Sequence, residues 1–386
     1  MVLREFLKVP REKKDEIIKN SNDVKLSLMT YNVLAQGLIH RDSFPDATKL
    51  SLKIKHRIPK VLSEIKFLNP DCACFQEVDE FERFYKEFLI ANNYDFIYQY
   101  SHETISSLEN NTSECPPETV HGLLTIWKKE KVKLIDYQFI DFDNHELVFP
   151  TKITPYTKNI ATICIFEFLN DLNKGFAVTN NHLYWRYQAV YEKLRQIYVL
   201  LTEVKKSRDR YNFQFFCCGD FNFEPMDIPY YILTRKELSS ELRNTAEIVK
   251  HPGSDRENPI VSDENGNGDI DYKEIPPEEL IDKLYTLPKL KSCYYNYANL
   301  LSKERYNCNP QWKENEVLWT GEPAYTNYGP WKGTLDYIFM LVEEGPSKVI
   351  LDSVLYIPTA EELKKSLPNE EFGSDHISLM ANFYIL

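Results

Sequence analysis

Polar groups able to do acid, base or metal chemistry stand in this chain where apolar, strand-like runs begin or end. Asn32 follows LSLMTY, Glu77 follows CACFQ and His182 follows FAVTNN; Asp220 and Asn222 come directly after FQFFCCG. Asp336 precedes YIFML, and Asp375 with His376 precedes ISLMANF. A buried carboxylate costs several kcal/mol unless it is paired or metal-bound, so these groups are expected at one shared rim rather than scattered through an interior. Strand ends are also where layered α/β proteins build their sites. Carboxylate and amide oxygens such as those of Glu77 and Asn32, with few soft ligands nearby, suit a hard cation, Mg²⁺ or Mn²⁺, better than zinc. Phosphodiester hydrolysis is the matching reaction. It needs an oriented water, neutralised non-bridging oxygens and a stabilised leaving oxygen. The chain has no Gly-x-x-x-x-Gly-Lys-Ser/Thr loop, no serine nucleophile elbow and no His-Glu-x-x-His helix, which excludes those other chemistries.

The elements that must position these groups alternate between strand-like and helix-like. KLSLMTYNVL, residues 25–34, reads as the first strand. HRIPKVLSEIKFLN follows with Ile58, Val61, Leu62, Ile65 and Leu68 at helical spacing and is stopped by Pro70-Asp71. CACFQEV reads as a buried strand, FERFYKEFLIANN as a helix, FIYQY as a strand and residues 101–118 as a loop. GLLTIWKK, LIDYQFIDF, IATICIFEF and GFAVTNNHLYW read as strands. The next segment carries Tyr187, Val190, Tyr191, Leu194, Ile197, Leu200 and Leu201 on one helical face. FQFFCCGDFN, TLDYIFMLVE, VILDSVLYI and HISLMANFYIL complete the pattern. This alternation predicts a layered α/β fold rather than a bundle or a repeat array.

Composition narrows the partners. The 386 residues carry 46 Lys and Arg against 58 Asp and Glu, a net charge of -12. That argues against wrapping duplex DNA electrostatically and leaves a short strand held by a local basic funnel, stacking and metal ions. With 43% hydrophobic residues the bulk of the chain is not disordered. No run approaches about 18 uninterrupted apolar residues, so no membrane partner is expected. The eight cysteines form no C-x-x-C pair and read as reduced core thiols. The N-terminal segment MVLREFLKVPREKKDEIIKN lacks a secretory or mitochondrial signal. An intracellular location, cytoplasmic, nuclear or both, follows as the expectation.

Composition shifts at about residue 250. Residues 1–24 read as an N-terminal extension, 25–386 as one domain, and about 250–290 as an acidic insertion within it. Inside the insertion, DENGNGDIDYKE places Asp263, Asn265, Asn267, Gly268, Ile270, Asp271 and Glu274 at positions 1, 3, 5, 6, 8, 9 and 12 of an EF-hand loop. Its flanks disagree, because Pro259 stands where the entering helix belongs and Pro276-Pro277 would break the exiting one. A Ca²⁺ clip and a solvated acidic turn are the two readings of this loop.

TYNVLAQ, FQEVD, NHLYWR, CGDFN, LDYIF and SDHISL, in this order, resemble the endonuclease/exonuclease/phosphatase superfamily. Within it they resemble the carbon-catabolite-repressor-type deadenylases, and most closely the NGL-type RNA exonucleases, with nocturnin and Angel as relatives. The resemblance covers residues 25–386 apart from the insertion, and HGLLTIWKK, KNIATICIFE and TNYGPWKGTLDYI extend it. It implies a two-sheet α/β sandwich flanked by helices, with the site at one edge. Glu77, with Asn32 beside it, resembles the magnesium anchor. Asp220 is similar to the residue that positions or deprotonates the attacking water, and Asn222 to a neighbour that holds the scissile phosphate or a second metal. His182 and His376 resemble donors to phosphate oxygens, Asp336 the carboxylate that orients His376, and Asp375 a contact to metal or water. Trp331 occupies the place of an aromatic that stacks on a terminal adenine, a contact open to any base. Asn327 and Arg186 stand where a base edge or a phosphate is held, and Tyr187 replaces a proline of some poly(A)-specific relatives.

The function so implied is an Mg²⁺-dependent 3′-to-5′ exoribonuclease, releasing 5′-mononucleotides from single-stranded RNA 3′ ends such as poly(A) or an rRNA precursor tail. Two alternatives belong beside it: a phosphodiesterase or phosphatase acting on 2′,5′-linked oligonucleotides or another small phosphorylated molecule, and a calcium-binding RNA adaptor without turnover. Related deadenylases of the large mRNA-decay complex carry leucine-rich repeats ahead of the nuclease. The chain shows none, so a stand-alone enzyme is expected.

Overall fold

The computed structural model describes residues 4–10, 23–100, 103–106, 120–145, 157–234, 238, 275–302, 321–342 and 349–386. Residues 263–274, and with them Asp263, Asn265, Asn267, Asp271 and Glu274, lie outside the described residues. Two sheets carry the structure. The first has eight strands in the order β1 (Phe6–Lys8), β15 (Val349–Leu355), β16 (Leu379–Ile385), β2 (Val24–Asn32), β3 (Cys72–Val78), β6 (Gly122–Lys128), β4 (Tyr94–Tyr100) and β5 (Glu103–Ser106). The second has six, β11 (Leu290–Ser292), β14 (Asp336–Leu341), β10 (Gln214–Asp220), β9 (Asp171–His182), β8 (Ile160–Phe168) and β7 (Val132–Asp141). A two-stranded ribbon, β12 (Asn327–Tyr328) with β13 (Lys332–Gly333), stands apart.

The sheets pack face to face because their central strands are apolar on both faces. In β10, Phe216 and Cys218 join Cys72, Cys74, Trp127, Phe166 and Val178 in the layer between the sheets. Phe215 and Cys217, one residue out of phase, point the other way. There they meet Leu194, Ile197 and Leu201 of helix α4 (Val190–Arg210) and Leu280 and Leu284 of the helix Pro277–Tyr285. The first sheet is covered likewise by Ile58, Val61 and Ile65 of helix α1 (Ile54–Leu68). The result is the expected two-sheet α/β sandwich flanked by helices. Each fully buried Phe or Leu here contributes about 1.5–3 kcal/mol. The six described cysteines are buried and unpaired, and no described helix is long and apolar enough to cross a membrane.

Several local expectations change. The segment 81–93 forms two short helices, Phe81–Phe84 and Lys86–Ala91, broken at Tyr85, whose ring is fully buried beneath them. The predicted loop 101–118 contains edge strand β5, paired with β4. The N-terminal extension supplies edge strand β1 on β15, and Arg4 is buried against Glu64, Ser378 and the Tyr356 carbonyl. The short strand Phe6–Lys8 pairs with a sheet edge that would otherwise stay unpaired. Within the stretch to residue 290, the helix Pro277–Tyr285 sends Leu280, Ile281 and Leu284 into the core. Pro277 begins that helix at its first turn, where a missing N–H costs nothing, and so does not break one.

Candidate active site

Register alone brings the chemistry together. In the second sheet Asp220, the last residue of β10, pairs with His182 of parallel β9 on one side and Asp336 of antiparallel β14 on the other. In the first sheet Asn32 of β2 pairs with Gln76 of β3, so Glu77 emerges at the same end. The pleat would turn Glu77 away from that neighbourhood. A register shift between Phe75 and Val78, with Glu77 at φ 58°, redirects it. Asn222 also sits in the left-handed region, at φ 53°. Such positions are disfavoured for residues with a Cβ and gather at functional sites. Gly219 lies at φ 147°, and a Cβ there would overlap the Asn181 carbonyl, so only glycine lets β10 approach β9 closely enough to align Asp220 with His182.

The side chains converge where the two sheets meet. Asn32 Nδ2 donates to Glu77 Oε1 at 2.9 Å and to Asp220 Oδ2 at 3.0 Å. Its own Oδ1 accepts from the Leu34 amide at 3.0 Å, and Glu77 Oε2 accepts from the Ala35 amide at 3.0 Å. His182 Nε2 lies 3.9 Å from Glu77 Oε1 and 3.7 Å from Asp220 Oδ2, and His376 Nε2 lies 3.8 Å from that same Asp220 oxygen. On its far side His376 Nδ1 meets Asp336 Oδ2 at 2.8 Å, and Thr326 Oγ1 donates to the same oxygen at 2.6 Å. Asp375 Oδ2 accepts from Asn327 Nδ2 at 3.4 Å.

The charges in this space are strongly coupled to one another. Burial, then the neighbouring Asp336 carboxylate, push Asp220 up to about 6, while His182 and His376 act against that rise. Burial raises Glu77 too, but His182, His121 and the hydrogen bonds from Asn32 and Ala35 outweigh it and hold the carboxyl below its ordinary range. For His376 burial opposes the charge, yet Asp336, Asp375 and Asp220 together lift the imidazole well above the usual histidine value. A group raised in this way adds stability that is complete below its unfolded pKa and lost as pH rises through the folded one. Asp336→Asn is therefore expected to lower the His376 pKa, read by NMR titration, and to destabilise the protein most in acid. The gap to wild type in urea unfolding closes as pH rises.

A divalent cation fits this constellation. Glu77 Oε1 and Asp220 Oδ2 converge on one amide, all donors are hard oxygens or imidazoles, and among the described residues no thiol faces them. One donor each from Asp220, Asp336 and His376 also lies within 4.8 Å of the others. Asp336 is already bonded to His376 and Thr326, which leaves Glu77 and Asp220 as the better holders. Asn32 bridges them through Nδ2, its oxygen being held by the Leu34 amide, and so positions the two carboxylates rather than presenting an oxygen of its own.

Other candidates fall into place unevenly. Asn222 gives its Nδ2 to the Leu183 carbonyl at 2.8 Å and its backbone N–H to Asp220 Oδ1 at 3.0 Å, clamping the β9 exit beside β10. The Arg186 guanidinium stacks on exposed Trp185, 5.4 Å from the ring centroid. Trp331 is 48% exposed and so does not serve the core. It stands in the β12–β13 turn, which is fixed to the 375–377 segment by Tyr328 N–H to the Asp375 carbonyl at 2.7 Å and Ile377 N–H to the Thr326 carbonyl at 2.7 Å.

Sequence reasoning missed the supports. Thr326 carries no motif of its own. Ser374, whose Oγ donates to the Asn32 carbonyl at 2.7 Å, was legible only as part of SDH. Arg57 is fully buried in α1 and donates to the carbonyls of Val33, Leu34 and Gly373, tying the ends of both site loops together. A lone arginine within an amphipathic helix gives no such signal. His121, which influences Glu77, could have been flagged as a histidine at the start of strand β6.

Comparison with known proteins agrees with this geometry. A profile described as the Endonuclease/Exonuclease/phosphatase family matches residues 29–376. A Schizosaccharomyces pombe protein named as a probable RNA exonuclease is 29% identical over 100% of this chain and 80% of its own length. The Saccharomyces cerevisiae RNA exonuclease NGL2 is 30% identical over 93% of this chain and 78% of its own. Among solved structures, ANGEL2, described as a 2′,3′-cyclic phosphatase, superposes with a TM-score of 0.67 at 21% identity, covering 100% of this chain and 98% of that one. At that identity the likeness is one of fold.

Proposed function

We infer, because the chain belongs to the endonuclease/exonuclease/phosphatase family, that it is a divalent-metal-dependent 3′-to-5′ exoribonuclease that releases 5′-mononucleotides from single-stranded RNA. The observation that carries this reading is the meeting of Glu77, Asp220, His182 and His376 around Asn32 at the rim where the two sheets join. The relatives named as RNA exonucleases supply the substrate class. Glu77 and Asp220, bridged by Asn32, would hold the cation, Mg²⁺ or Mn²⁺, which when bound neutralises phosphate charge.

The chain's own groups do the rest. Asp220 orients the attacking water and takes up its proton, for which a carboxyl drawn toward neutrality is better suited than an ordinary one. His376, held charged and aimed by Asp336, and His182 across from it donate to the phosphate oxygens, where negative charge grows. Asn327 and Trp331 border the position of the terminal nucleotide. Catalysis of this kind comes mainly from placement and charge, both of which the rigid strand ends provide.

Incubation with 5′-labelled, 3′-tailed RNA is expected to give a ladder shortening one nucleotide at a time with 5′-mononucleotides released, and EDTA is expected to stop it. Internal fragments in place of a ladder, or no change in rate on chelation, would contradict this assignment. Cleavage confined to 2′,5′-linked or small phosphorylated substrates would move the protein to the small-molecule reading.

A further inference from the structure

Beside the catalytic groups stands a carboxylate that the proposed chemistry does not use. Glu224 lies four residues past Asp220, and its Oε1 would be 2.7 Å from a Cβ placed on Gly333. The same Cβ would overlap the six-membered ring of Trp331. The indole edge and the Glu224 carboxylate therefore meet over one glycine, and a larger residue there would separate them. The Glu224 backbone is engaged locally, its N–H donating to Asp227 Oδ2 at 2.8 Å and its carbonyl accepting from the Asp227 N–H at 2.9 Å, and among the described residues none donates a hydrogen bond to its carboxylate. A half-buried carboxylate in that state is open to a donor from a ligand. Its surroundings favour a flat ligand. Trp331 is 48% exposed and Tyr187 is 63% exposed. Tyr187 borders the same acidic group, its phenol raised by Asp227, burial and Glu224 in that order. Lys193 closes the floor, bonded to the Asn222 carbonyl at 2.5 Å and 6.0 Å from the Tyr187 ring centroid.

An aromatic face holds any base, and so cannot choose among them. An acceptor at its edge can. We propose that Glu224 reads the 6/4 edge of the 3′-terminal base stacked on Trp331, selecting adenine and cytosine against guanine and uracil. Adenine and cytosine carry an amino donor at that position, whereas guanine and uracil carry a carbonyl oxygen there, which repels a carboxylate. Glu224 would thus be a specificity residue rather than a participant in bond cleavage. This rests on the exoribonuclease reading and extends it to the identity of the departing nucleotide.

The test is kcat/KM for four RNAs that differ only in the 3′-terminal nucleotide, measured on the full chain with Mg²⁺. Wild type is expected to remove A and C at least about tenfold faster than G and U, the discrimination typical of one matched base-edge contact. Glu224→Gln keeps the shape and adds a donor that guanine O6 and uracil O4 can accept, so the G- and U-ended RNAs should rise to within about twofold of the others. Glu224→Ala should flatten the preference without restoring U to the wild-type rate on A. A merely structural role would slow all four RNAs in proportion and leave their ratios unchanged, and that result overturns the proposal. Equal wild-type rates on all four overturn it alone, while a wild type that trims none overturns the exoribonuclease reading as well.

Discussion

Asp220→Asn should reduce RNA trimming by about 10³-fold or more while leaving the protein folded, because it deletes the proton acceptor and a cation-facing oxygen together. The substitution conserves volume, but its amide accepts through one oxygen alone and so keeps one of the two hydrogen bonds from Asn32 and the Asn222 amide. The charge removed works in the other direction. The Asp220 carboxyl is raised from 3.8 to about 6 by burial and then by Asp336, so its ionisation opposes folding. A raised carboxyl takes stability away as pH climbs from its unfolded toward its folded value. In cation-free buffer at neutral pH the relief of that charge is therefore expected to offset the lost hydrogen bond, leaving the variant folded with a Tm close to that of wild type. In the wild-type pH–rate profile the acid limb belongs at or below about 6, since occupancy by a cation can only lower it. Wild-type activity in the Asn variant, or an unfolded variant at pH 7, would each count against Asp220 as the acceptor.

Glu77→Gln should produce the second large loss, and by a different route. Its carboxylate is the anchor on the first sheet, and the Gln amide can neither carry the charge nor accept through both atoms from Asn32 and the Ala35 amide. Trimming should fall by about 10²- to 10⁴-fold, partly recoverable at high Mn²⁺ if the defect is affinity. Thermal scans provide a readout independent of turnover. A cation present at about 100 times its dissociation constant stabilises the folded state by about 2.7 kcal/mol, so wild type should gain several degrees in Tm with Mg²⁺ and the variant should gain far less. The pH dependence has the opposite sign to that of Asp220. Glu77 is depressed below its ordinary 4.5 because His182, His121, Asn32 and Ala35 outweigh burial, so it stabilises the fold above that value and ceases to do so as pH falls through the folded one. The variant should be less stable than wild type at pH 7, with the difference closing in acid. An undiminished Mg²⁺ shift in the variant would remove Glu77 from the cation site.

What the linear chain determined was the inventory and the layers. Period-two and uninterrupted apolar runs announced strands covered on one or both faces, and the strand-end positions of Asn32, Glu77, His182, Asp220, Asp336 and His376 announced a common rim, since dispersed buried charges would be too costly. Those are local properties, written in adjacent residues. Tertiary structure alone decided the rest. The order of strands brings β9, β10 and β14 side by side and aligns His182, Asp220 and Asp336. The left-handed backbone at Glu77 turns its carboxylate toward the opposite sheet. Ser374 and Arg57 became supports only when segments hundreds of residues apart closed on them, and Thr326 only when the β12–β13 ribbon folded it back onto Asp336. The pairing of the N-terminal segment onto β15 and the docking of the helix after Pro276 were decided in the same way. A hydrogen bond between distant segments leaves no period and no spacing in the sequence, because its partner is chosen by packing and not by neighbourhood.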